Sequence, residues 1–148
     1  MRQGESMATN KLKGIYVLVH GHDAKYAIWW QIGPFQNRFE VFHGLYKIDL
    51  VRDVVKVLDN EFSGFLAKLA AVDEAHYNSS GHRYRRYVSA DITSLFPGAT
   101  DEFRKSNAFA YKGYWIGKNS NANTIATYVK TMCEACGIEF GYWQDLKL

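Results

Sequence analysis

The chain has 148 residues, of which 22% are charged and 47% hydrophobic, and its formal net charge is +3. That length suits one domain with a single sizeable core, and no apolar run approaches the ~20 residues that a membrane helix needs. The positive balance is mild, so it permits nucleic-acid binding without requiring it.

Met1–Asn10 is polar and lacks the apolar middle of a signal peptide, so residues 1–10 read as a disordered lead-in with Met7 as a second candidate start. Nothing there directs export, and a cytoplasmic setting is expected. The sequon Asn78-Ser79-Ser80 then carries no weight, because glycosylation requires secretion. Residues 11–148 are expected to form a single globular domain. The nine Phe, ten Tyr and four Trp are an unusual share, and many of these rings must lie in or beside the core.

In chain order, Ile15, Val17 and Val19 alternate with Tyr16, Leu18 and His20, which predicts a strand over Gly14–His20. Gly21-His22-Asp23-Ala24 is turn chemistry, and Tyr26–Gly33 returns as a second strand. After the turn at Gly33–Asn37, Arg38–Tyr46 predicts a third strand with Phe39, Val41, His43 and Leu45 on one face. The period then lengthens to 3.6 from Asp49, a candidate N-cap, to Val72, with Phe39 and Val41 expected against the helix. Ser63-Gly64 marks a kink or break in it. Asp73–Gly81 reads as a loop, Arg86–Thr93 as a strand, Thr100–Ser106 as a short helix and Phe109–Gly117 as a strand. Asn123–Cys136 predicts a helix that Gly137 ends, and Ile138–Trp143 is either a last strand or a packed tail. The order βββ-α-β-α-β-α predicts an α/β (α+β) fold with a mixed sheet of about five strands and flanking helices.

Four clusters carry candidate chemistry. His20-Gly21-His22-Asp23 places two histidines and a carboxylate at a strand end, either as metal ligands or as a solvated turn. Cys133-Glu134-Ala135-Cys136 ends a helix, the wrong pole for lowering a thiol pKa, so it reads as buried thiols rather than a redox or zinc pair. His82-Arg83-Tyr84-Arg85-Arg86-Tyr87 interleaves bases with rings, as do Lys112, Tyr114, Trp115 and Lys118. Such mixtures contact phosphates and stack nucleobases, or else lead as a solvated loop into a strand. Asp91 closes a strand, where sheet-borne sites often lie.

Element order and these residues together resemble the ribonuclease H-like superfamily, from Gly14 to about Cys136. The resemblance implies a meander, a helix and alternating strands and helices, with two magnesium ions clamping a phosphodiester through four acids. On this chain the first-helix acid falls on Asp49 and the fourth-strand acid on Asp91. The first-strand position holds His20, and the last-helix position falls near Thr127. Two carboxylates are a poor cage for two hard cations, so the resemblance implies a degenerate, apparently non-catalytic member.

Three readings stay open. The first is a non-catalytic domain binding nucleic acid or nucleotides through Arg83, Tyr84, Arg85, Arg86, Tyr87, Lys112, Trp115 and Lys118, with no cofactor. The second is a metal-dependent nuclease using His20, Asp49 and Asp91 with Mg2+ or Mn2+. The third is a small phage-type inhibitor or ligand-binding module, with a protein partner or a nucleotide in an aromatic pocket.

Overall fold

The structure, a computed structural model, describes residues 11–146 apart from 22, 82, 84, 119 and 120. The expectations for residues 1–10, His22, His82 and Tyr84 lie outside the described residues.

The chain opens with the antiparallel meander that its alternation predicts: β1 (Lys11–His20), β2 (Asp23–Gln31) and β3 (Asn37–Tyr46). Two helices follow, α1 (Lys47–Glu61) and α2 (Phe65–Ser79). The break between them falls at Ser63-Gly64, where Gly64 takes φ 71, a conformation that side chains resist. α2 runs through the stretch expected as a loop from Asp73, because Ala70, Ala71 and Ala75 carry strong helix propensity. Next come β4 (Val88–Ser89), α3 (Asp101–Ser106), β5 (Ala108–Tyr111), β6 (Tyr114–Gly117), α4 (Ala122–Cys136) and β7 (Glu139–Tyr142). The single strand expected over 109–117 is instead a hairpin. Lys112 and Gly113, at φ 48 and 87, make the two-residue connection with both φ positive that antiparallel strands favour.

The fold is mixed α+β, as its element order predicts. Its strands, however, divide between two sheets, one ordered β3-β2-β1-β7 and the other β4-β6-β5. The expectation put 86–93 and 109–117 beside the meander. The structure puts β7 there, parallel to β1, with Ile15 opposite Phe140 and Val17 opposite Tyr142. The physical reason lies at β4. The amides of Tyr87 and of Val88, its first residue, are taken by a side chain of α2 (below), and β4 pairs with β6.

One core joins both sheets. Leu50, Val51, Val54, Val55 and Leu58 of α1 and Ile125, Val129 and Met132 of α4 pack with Ile15, Val17, Tyr26 and Ile28 of the meander. Val88 and Ile116 of the smaller sheet belong to the same cluster. In β3 it is Phe42 and Leu45 that reach this core, correcting the expectation for Phe39 and Val41. His43 and Gly44 together oppose the single Lys25 of β2, a bulge with Gly44 at φ 74. The extra residue shifts the alternation, so Leu45 returns to the core face while Phe39 stacks on Trp29 across the other.

That other face is closed by glycine and aromatic pairs. The Tyr16 ring lies over Gly141 and its hydroxyl donates to Glu139, while Trp29 lies over Gly14. Lys25 sits 4.2 Å from the centre of the Trp143 ring. A Cβ on Gly141 would meet Cδ2 of Tyr16 at 2.6 Å. Gly141→Ala is therefore expected to lower stability by about 1–3 kcal/mol, the usual cost of overpacking. Urea unfolding followed by circular dichroism measures it, and an unchanged midpoint would show that the ring yields freely.

Candidate ligand-binding site

The basic run before β4 is divided by the fold. Asp73, a fully buried carboxylate of α2, accepts the backbone N–H of Tyr87 at 3.0 Å and of Val88 at 3.2 Å through Oδ2. Arg86 completes this anchor, with Nε 3.5 Å from the same oxygen, and its guanidinium also donates to Val88 O at 3.1 Å. Arg86 thus serves the fold, because a buried carboxylate needs a partner for its charge. Tyr87 is buried as well. Its hydroxyl donates to Tyr128 O at 3.0 Å, and its ring stacks on Tyr128 with centroids 3.5 Å apart. Arg83 is exposed and turned back on α2, its Nε donating to Ser80 O at 3.1 Å.

Arg85 is the member of the run left over. It is exposed and forms no ion pair among the described residues, with its guanidinium 5.7 Å from the centre of the Phe96 ring. It lines a cleft of about 220 Å³ together with Tyr87, Asn123, Thr124, Thr127 and Tyr128. The same cleft is lined by the first turn of α4, whose dipole presents partial positive charge. Asn121 caps that helix, its Oδ1 accepting the N–H of Asn123 at 2.9 Å and of Thr124 at 3.3 Å. The Tyr128 hydroxyl is buried with no hydrogen-bond partner among the described residues. Burial pushes its pKa up, so it stays a neutral donor. A cation and a helix N-terminus lining one cleft suit an anion.

The residues carried over from the resemblance lie on different elements, His20 on β1, Asp49 on α1 and Asp91 just after β4. His20 ends β1 opposite Asp23, and Asp23 pairs with Tyr46, so His20 and the start of α1 share one end of the meander. There His20 and Asp23 line a shallow cavity of about 330 Å³ with Leu18, Ala24, Lys25 and Gly44. Asp49 lies in the first turn of α1 beside Arg52, at 3.9 Å, and Tyr46 rather than Asp49 is the capping position. Asp91 follows β4 in the other sheet. It accepts the Thr93 hydroxyl at 2.7 Å and the Thr93 N–H at 3.0 Å, and these bonds hold its carboxyl below the usual carboxylate range. Among the described residues, no three His, Cys, Asp or Glu side chains gather as metal ligands. A pair of magnesium ions needs a shared set of carboxylate oxygens, and the described side chains do not fit that requirement.

The remaining expected contacts serve the fold. Lys112 pairs with Asp59 at 2.7 Å, and Trp115 is half-buried on β6 opposite Ser89 and Ala110. Lys118 Nζ lies 3.4 Å from Ser106 O. Cys133 and Cys136 are free thiols, and burial pushes Cys136 up to about 12 and Cys133 further. Sequence reading missed Asn123, Thr124 and Tyr128 as cleft residues. Asn121-Ala122-Asn123-Thr124 ahead of an apolar stripe does mark a helix start, but nothing local brings Arg85 to it. Comparison with protein-family models, with curated proteins and with solved structures returns no match for this chain.

Two outcomes follow from this arrangement. Arg86→Ala should cost about 3 kcal/mol or more, because it strands the Asp73 carboxylate, whereas Arg85→Ala should shift stability by less than about 0.5 kcal/mol. Equal urea midpoints for the two variants would refute the division. For the thiols, a folded pKa near 12 against 9.0 ordinarily means that their stabilising burial is fully present below pH 9 and is lost as pH rises toward 12. Iodoacetamide at pH 8 should therefore label the native chain at least about tenfold more slowly than the urea-unfolded chain. Comparable rates would mean that the thiols are open.

Proposed function

We propose that this chain binds a phosphate-bearing ligand, a nucleotide or the end of a single-stranded nucleic acid, and does not cut it. The observation that carries the reading is Arg85, a cation free of carboxylate partners among the described residues, lining one cleft together with Asn123 and Thr124 of the first turn of α4. The guanidinium would take two phosphate oxygens in its planar fork, and the helix dipole favours the same charge. Asn123 and Thr124 supply neutral polar groups to the same cleft. The reading rests on these side chains rather than on the ribonuclease H resemblance, since the strand order departs from that expectation.

Direct titration tests it, with nucleoside monophosphates and a 5′-phosphorylated oligothymidine as probes. Binding should weaken about tenfold or more in Arg85→Ala, the scale of a lost charged hydrogen bond, with the urea midpoint unmoved. The oligonucleotide's salt dependence should flatten by about 0.7 of a log unit, one single-strand phosphate contact. Absence of binding, or equal affinity in the folded variant, would refute the site. Metal-dependent cleavage by the wild type would refute the claim that it does not cut.

A further inference from the structure

The main sheet leaves one long edge open. β3 pairs with β2 on one side, and no described strand pairs with its other side. An open edge of this length is a template for another strand unless something blocks it. Here the regular part is bounded on both sides. The turn that ends at Gln36, whose carbonyl accepts the Ile32 N–H at 3.0 Å, precedes it. The His43-Gly44 bulge ends it. Between them lies Asn37-Arg38-Phe39-Glu40-Val41-Phe42.

We propose that β3 pairs with β3 of a second copy of this chain, antiparallel about a two-fold axis at Phe39, making one continuous eight-stranded sheet across the dimer. The sequence around Phe39 is self-complementary in charge. A two-fold there sets Arg38 opposite Glu40 of the partner and Glu40 opposite the partner's Arg38, so two attractive cross-strand pairs form at once. Asn37 falls opposite Val41, and Gln36 opposite Phe42. Both charged side chains are exposed, and neither forms an ion pair among the described residues. Glu40 is already oriented, one carboxylate oxygen accepting Trp30 Nε1–H at 3.2 Å and the other left for the partner. Asn37 is held likewise by Trp29 Nε1–H at 2.8 Å. Phe35 is 96% exposed on the adjoining turn and falls opposite the partner's His43, where association would cover it. A strand of another protein could use the same backbone edge but has no reason to match this charge order.

Sedimentation velocity over about 1–500 μM is the test, paired with amide exchange of β3. The wild type should dimerise, and exchange over residues 37–42 should slow as concentration rises. Glu40→Arg sets Arg38 against Arg, and Arg38→Glu sets Glu against Glu40, so each should weaken the dimer about tenfold or more. The double variant Arg38→Glu with Glu40→Arg restores opposite charges and should recover it. Arg38→Glu, at a side chain with no ion-pair partner in the chain, keeps the test open if Glu40→Arg unfolds. A wild type that stays monomeric throughout, or a folded double variant that stays as weak as the singles, would overturn the proposal.

Discussion

The buried carboxylate of Asp73 is the constraint on which the smaller sheet depends. A charged group in a dry core persists only with partners, and Asp73 Oδ2 finds them in the amides of Tyr87 and Val88, by hydrogen bonds, and in Arg86, by an ion pair. Those partners fix the chain where it leaves α2 and enters β4. Tyr87 passes the constraint on, since its carbonyl accepts the Gly117 N–H at 2.7 Å and its hydroxyl bonds to α4. One side chain of α2 thus positions a strand, a hairpin and a helix that share no backbone ladder with the main sheet.

The same junction explains how neighbouring arginines come to different ends. Arg86 is drawn to Asp73 and shielded, so its charge is spent on folding. Arg85, one residue earlier, lies over Phe96 and lines a cleft with the first turn of α4. Tyr87 and Tyr128 line the same cleft and stack on each other, and their stacking is fixed by the bond from Tyr87 to the Tyr128 carbonyl. Stability and the candidate binding chemistry are therefore built from adjacent residues with little overlap.

On the main sheet, irregularities do the specifying. The bulge at His43-Gly44 returns Leu45 to the core, and another, at Lys13 between Leu12 and Gly14, lets both Leu12 and Ile15 face inward. Glycines at 14 and 141 leave room for Trp29 and Tyr16 to lie flat on the opposite face. Each removes a Cβ where a ring must pass, which pins the register of β7 against β1.

Period and turn chemistry alone determined the meander, the helix break at Ser63-Gly64, the last helix with its Gly137 stop, and the α+β class. These are local: each depends on which residues repeat within one turn or one pleat and on where glycine permits a turn. The Lys112-Gly113 hairpin was local too, though an apolar run across it conceals it. The continuation of α2 was legible in part, because Asp73, His76 and Tyr77 prolong the spacing of Leu66 and Leu69, but an aspartate in that stripe reads as polar until its partners are known. Only the tertiary structure decided that β7 takes the place beside β1, that Arg86 pairs with Asp73 while Arg85 forms no ion pair among the described residues, and that Arg85 lines one cleft with a helix start some forty residues later in the chain. Those outcomes depend on contacts between distant segments, whose energies come from desolvation and shared hydrogen bonds that no local spacing encodes.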